Sequence, residues 1–291
     1  MNQSEADRAY DQIVPVALSL CRQAFGLQML QFLPRENSPL SVKLQDQAWF
    51  VALVTDQLMC PLVLKRHRWQ IEELHFARRV CSGSEPLTLV DVGANMGLFS
   101  RQLLAALPNL TEVFAYEPEP QNYGCLVFNL SPFQDKVHAI RAALGDVTGT
   151  GDFYLDPTNS GNFSLNRAAM PLQHAATRVE TRDVAAECQS WLASERRIFY
   201  KSDTQGYDEL IATTIRPEVW PRVAAGIMEV WRIEKPRFDV DRLGQVLDQF
   251  PNKIFLANAD LNVAEMPVST ADVLQFINST DHSHRDLGFW R

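Results

Sequence analysis

The residues best placed to do chemistry fall in two short runs, Asp91-Val92-Gly93-Ala94-Asn95-Met96-Gly97 and Tyr116-Glu117-Pro118-Glu119-Pro120. Each run ends an apolar stretch, so each reads as the tip of a β-strand carrying an acid. Gly93 leaves the first strand where a Cβ would obstruct a ligand approaching the backbone. Asn95 tolerates a left-handed backbone at modest cost, and Gly97 lets the next helix start close to the strand. Glu117 lies 26 residues after Asp91, near the ~20-residue offset at which an acid accepts hydrogen bonds from ribose hydroxyls. Pro118 stops the second strand and orients that carboxylate, whereas Glu119 is expected to be solvated. A tight turn beside two such acids offers backbone N–H groups and carboxylates to an adenosyl-type ligand.

The turn also excludes ligands. A dinucleotide fingerprint needs G-x-G-x-x-G, but Ala94, Asn95 and Met96 separate Gly93 from the next glycine, and no phosphate-binding lysine follows. Asp91 would repel a pyrophosphate and better suits the cationic amino-acid end of S-adenosylmethionine.

Strand-like and helix-like segments alternate from residue 87 onward, and these must position the two runs. Strands are expected at 88–92, 113–117, 137–144, 178–182, 197–203, 225–231 and 253–259. Helices are expected over 98–107, from Pro120 to about 130, and over 184–192. The glycine-rich segment 145–156 reads as a hairpin insertion. Alternation of this kind implies a largely parallel sheet with helices on both faces. Residues 1–80 read as an N-terminal, mainly helical cap, with helical spacing over 5–33, a strand pair or strand and helix within 40–81 and a helix over 68–80, and residues 81–291 as the main domain. The cap's apolar face could cover the sheet edge, form a homo-oligomer seam or touch a membrane surface.

A formal net charge of −8 makes nucleic acid a poor partner. Five widely spaced cysteines without a C-x-x-C pair suggest a reducing compartment and no zinc site. The polar N-terminus and the lack of a long apolar stretch predict a cytoplasmic protein without a transmembrane segment. No metal ligand set is expected, and His282 and His284 read as part of an exposed polar tail. His284-Arg285-Asp286-Leu287 copies the start of a kinase catalytic loop but lacks its later asparagine.

The runs DVGANMG and YEPEP are followed in order by RAALGD (141–146), NSG (159–161), YKSDTQGYDE (200–209) and IMEV (227–230). Over residues 85–232 this series resembles the FkbM family of S-adenosylmethionine-dependent O-methyltransferases, which act on hydroxyls of sugars, polyketides and other secondary metabolites. The resemblance implies a Rossmann-like α/β fold with the seven-stranded class I methyltransferase sheet. It further implies that Asp91, Gly93, Ala94, Asn95 and Gly97 hold the methionine end of the cofactor, that Glu117 takes the ribose, and that Ala142 and Ala143 line the adenine. Lys201, Asp203 and Gly206 match its downstream block. Asp208 stands where the family usually has Glu, and Ser202 and Thr204 replace apolar residues, departures that bear on substrate placement.

Methyl transfer to an alcohol needs in-line approach and a base for the hydroxyl proton. Asp203, at the carboxyl end of its strand, is the preferred base or hydroxyl-orienting group, with Lys201 next. The two residues share a strand face and could pair. Glu229 on the following strand could share the site. Asn159, Ser160, Gly161 and Asp208 are the candidate substrate contacts for a small-molecule or glycan hydroxyl acceptor. Two other readings use the same acid-tipped strands: a nicotinamide-dependent oxidoreductase and a non-catalytic cofactor-binding scaffold.

Overall fold

The computed structural model describes residues 29–32, 50–53, 59, 69–156, 159–170, 176–258, 263–278 and 283–291. Two short strands, β1 (Met29–Phe32) and β2 (Phe50–Leu53), pair antiparallel. Most of the expected cap at 1–80 lies outside the described residues. Its helix is present as α1 (Ile71–Cys81), which buries Leu74, Phe76 and Ala77.

The centre of the molecule is an eight-stranded sheet. Its parallel part comprises β3 (Leu87–Val92), β4 (Leu110–Tyr116), β5 (Val137–Ile140), β9 (Arg197–Ser202) and β10 (Val223–Trp231). An antiparallel part adds β11 (Asn252–Phe255), β12 (Met266–Pro267) and β13 (His284–Trp290). The spatial order is β12-β11-β13-β10-β9-β3-β4-β5. Leaving out the short edge strand β12, this is the order of the class I methyltransferase sheet, including its one reversed strand, here β13 between β10 and β11. The chain order reverses between β3 and β9, which places a crevice at their carboxyl ends.

Strand alternation builds two cores. Leu89, Val113, Phe199 and Ile227 face α1, α2 (Leu98–Ala106) and α3 (Pro120–Leu130). Val90, Tyr116, Tyr200 and Val230 face the other layer, with α4 (Val184–Trp191), α5 (Asp208–Thr214), α6 (Val240–Leu247) and α7 (Thr270–Ile277). Strands covered on both faces read as continuous apolar runs, which is why β3 is buried at every position.

Four expectations need correction. Residues 137–144 are not one strand, because β5 ends at Ile140 and Ala143–Gly145 forms β6 in a second sheet. That sheet has the order β6-β8-β7, so the expected hairpin is β7 (Gly149–Tyr154) paired antiparallel with β8 (Ala176–Asp183) across a longer connection. Residues around His284 are no polar tail: Leu287 and Phe289 are buried in a strand with partners on both sides. Glu119 is not solvated either, since it caps α3 by accepting from the Asn122 N–H at 2.7 Å. His282, Cys21 and Cys60 lie outside the described residues, whereas Cys81, Cys125 and Cys188 are buried free thiols. Among the described residues no helix is long and apolar enough to cross a membrane.

Candidate active site

The crevice at the carboxyl ends of β3, β4 and β9 opens into a cavity with about 800 Å³ of empty space, part of it open to solvent. The β3–α2 turn forms its floor. Gly93 and Gly97 have φ of 78° and 75°, and Asn95 joins them in the left-handed region at 52°. A Cβ on Gly93 would sit 2.0 Å from the Asp203 carbonyl oxygen, so this glycine is required by a close approach between the turn and the end of β9. Two N–H groups of the turn, Gly93 and Ala94, donate to the Tyr116 carbonyl and tie it to β4.

Glu117 stands just beyond β4, 4% exposed, and lines the cavity. Its carboxylate accepts from the Asn95 N–H at 2.9 Å and the Glu119 N–H at 2.8 Å. These donors favour the charged form, but burial and the nearby Glu119 charge outweigh them and push the Glu117 carboxyl up to about 8. No described cation pairs with it. A buried carboxylate facing an open cavity without a cation is suited to hydroxyl donors from a ligand, which would offset the burial cost. The cavity also presents Thr204 Oγ1 and Asn122 Oδ1, both buried without a hydrogen-bond partner. Ala142, Ala143 and Pro118 line its wall, with Phe153, Phe163 and Leu165 contributed by the second sheet's side of the molecule. These residues therefore fit an adenosyl group: apolar surface for the base and acceptors for the ribose.

Asp91 is placed differently from the rest of its run. It is fully buried, does not line the cavity, and accepts from Ser100 Oγ at 2.6 Å while pairing with Lys201 Nζ at 3.1 Å. Lys201 also donates to the Gly93 carbonyl at 3.3 Å and lies 3.8 Å from Asp203. Burial alone would lower the Lys201 pKa, yet the adjoining Asp91 and Asp203 carboxylates raise it overall. A lysine held that firmly as a cation is a poor base, but it lines the cavity, where it could still orient a hydroxyl. It also joins the turn to the end of β9.

Asp203 lines the cavity with its side chain 24% exposed. Gln70 Nε2 donates to one of its oxygens at 2.9 Å and Gln205 Nε2 to the other at 2.8 Å. Neither glutamine was expected. Both have left-handed backbones, φ 48° for Gln70 and 56° for Gln205, and with Asn95 they are the only such non-glycine residues among those described. All three hold a cavity group, a concentration of backbone strain that marks functional sites.

Glu229 does not line the cavity. It accepts from Gln205 Nε2 at 2.9 Å and from Trp231 Nε1 at 2.6 Å, so Gln205 bridges it to Asp203. Burial, with the charges of Asp203, Asp208 and Asp286, raises the Glu229 carboxyl well above its ordinary range. Asp208 also lies outside the lining. Its carboxylate bonds Ser202 Oγ and accepts from the Thr204 and Gly206 N–H groups at 3.0 and 3.3 Å, shaping the turn that carries Asp203.

Ser160 and Gly161 line the cavity, but Asn159 does not and instead closes its own loop by accepting from the Gly161 N–H at 2.9 Å. The Ser160 carbonyl accepts from Asn95 Nδ2 at 2.7 Å and from Asn122 Nδ2 at 3.1 Å. The structure thus brings the candidate substrate loop onto the turn that floors the cavity. Among the described residues no group of three or more His, Cys, Asp or Glu could hold a metal ion.

No protein-family model and no curated protein matches the chain. Among solved structures it is similar to the methyltransferase FkbM from Methylobacillus flagellatus KT at 14% identity and a TM-score of 0.41, covering 77% of this chain and 48% of that one. It is also similar to the precorrin-6y C5,15-methyltransferase from Geobacter metallireducens GS-15 at 13% identity and a TM-score of 0.34, covering 76% and 89%. An S-adenosylmethionine-dependent O-methyltransferase from Thermotoga maritima matches at 10% identity and 0.34, covering 84% and 73%.

Proposed function

We propose that this protein is an FkbM-like methyltransferase that uses S-adenosylmethionine to methylate a hydroxyl of a sugar, glycan or secondary metabolite. The observation that carries the reading is Glu117: a buried carboxylate at the tip of β4, facing the cavity and held by two backbone N–H groups instead of a cation. When bound, the sulfonium supplies an electrophilic methyl group. Glu117 accepts the ribose hydroxyls, Ala142 and Ala143 pack against the adenine, and Gly93, Ala94 and Asn95 form the floor beneath the methionine portion, while Gly97, which does not line the cavity, lets α2 start close against Leu126 and Leu130 of α3. Asp91 acts through Lys201, fixing the turn from behind. Asp203, aimed by Gln70 and Gln205, orients the acceptor hydroxyl and takes its proton. Glu229 supports Gln205, and Ser160 and Gly161 face the acceptor.

The acceptor end of the crevice is rich in carboxyls, and the chain carries a net charge of −8. Both would repel a phosphate backbone, which supports a small hydroxylated acceptor over nucleic acid. In this reading residues 81–291 are the methyltransferase domain and residues 1–80 its cap. Calorimetric titration with S-adenosylmethionine tests the assignment. Binding is expected for the wild type and a loss of ten- to a hundredfold for Glu117→Ala, from roughly 1.5–3 kcal/mol of charged hydrogen bonding. No heat with wild type, or unchanged affinity in the variant, defeats it.

A further inference from the structure

Asn122, in the first turn of α3, stands out because its neighbours fix every polar group but one. Its backbone N–H donates to Glu119 at 2.7 Å. Its Nδ2 donates to the Ser160 carbonyl at 3.1 Å and also bonds the Glu117 carboxylate. The Ser160 carbonyl can only accept, so turning the amide over would set oxygen against oxygen there. The orientation is thereby forced, and Oδ1 is left buried on a side chain 1% exposed, lining the cavity without a partner. An amide oxygen kept in that state costs free energy unless a ligand donor meets it.

The donor's nature follows from what lies beside it. Glu117 and Asn122 Oδ1 are both acceptors on the same wall, so the ligand must bring donors toward both. Adjacent hydroxyls do this without importing charge, and the tip of β4 is where a ribose is expected. Resting on the cofactor reading above, we infer that Asn122 is a second ribose-binding residue, accepting one hydroxyl of the cis-diol while its amide nitrogen holds Glu117 and Ser160 in place. The same side chain then touches the cofactor and fastens the 159–161 loop over it.

Calorimetry with S-adenosylhomocysteine, methylthioadenosine and their 2′- and 3′-deoxy analogues tests the assignment in wild type, Asn122→Ala and Asn122→Ser, with thermal melts confirming that each variant is folded. Both variants are expected to bind S-adenosylhomocysteine and methylthioadenosine about tenfold more weakly than wild type, as for loss of one hydrogen bond. One of the two deoxy substitutions should cost wild type a similar factor and cost the variants almost nothing. Equal binding by wild type and both variants overturns the role of Asn122 while leaving the cofactor reading standing. A loss seen with S-adenosylhomocysteine but not with methylthioadenosine, which lacks the amino acid, also overturns it, because Asn122 would then serve the amine. Wild type that binds none of these ligands overturns the cofactor reading and this one together.

Discussion

The two ends of the crevice are built on opposite plans. At the β3–β4 end, backbone groups do most of the holding: three left-handed residues shape one turn, and a single carboxylate, Glu117, faces the cavity. At the β9–β10 end, side chains hold one another. Asp203 is gripped by two glutamines, Glu229 is reached through one of them, and Asp286 on β13 shares a hydrogen bond with Glu73 on α1. Backbone shape is intolerant of added atoms and, Glu117 apart, indifferent to pH. A web of carboxyls tolerates small changes in shape but is sensitive to protons.

The sharpest way to break this contrast is Gly93→Ala. Its Cβ would meet the Asp203 carbonyl in a left-handed backbone that alone costs roughly 1–2 kcal/mol. Loss of S-adenosylmethionine binding by at least a hundredfold is expected in calorimetry, with a lowered melting temperature. Near-normal binding would show that the turn is not the rigid half.

A smaller effect is expected from Asp203→Asn, which keeps the shape but removes the charge. Methyl transfer should fall at least tenfold in an assay with labelled cofactor while cofactor affinity is retained. Unchanged transfer removes Asp203 from the mechanism.

The smallest effect concerns stability. Glu117 is pushed up to about 8, Asp208 and Asp286 to about 7, in each case chiefly by burial. Glu229 and Glu73 are raised for the same reason. The fold therefore keeps these protons at pH values where the unfolded chain has released them. The stabilisation is complete below the unfolded values near ~4 and declines as pH rises through 7 to 8. Melting temperature should drop between pH 5.5 and 8.5, and Asp286→Asn should reduce that drop by on the order of 3 °C. A melting curve that shifts equally in both proteins would mean that the carboxyl web is not what titrates.

The same contrast explains what the sequence made legible. The β3 turn, Glu117 and the helix between them lie within one local stretch, so apolar runs and small residues announce them directly. Five of the expected strands, β3, β4, β8, β9 and β10, appear close to their expected bounds for the same reason. The other end of the crevice is assembled from α1, β9, β10 and β13, and no local pattern reports that His284 lies 3.6 Å from Glu229. Gln70 and Gln205 carry no motif, since their importance comes from backbone conformation and from what they grip. β13 did leave a signal: Leu287 and Phe289 alternate with Asp286, Gly288 and Trp290 at the period of a strand. The charged residues at its start hid it. Asn122 could have been suspected from its place three residues after an acid that could cap a helix.

The position of β13 has a consequence for how the molecule is made. It is the last described strand in chain order, yet it lies between β10 and β11, and β11 pairs with only β12 and β13. While the chain is being synthesised, the five parallel strands can assemble as soon as β10 has emerged. The β11 and β12 segments must wait, already built but with no edge to join, until residues 284–290 appear. For that interval β10 is an open edge, so a ribosome that stalls late would present a sheet able to recruit a strand from another chain.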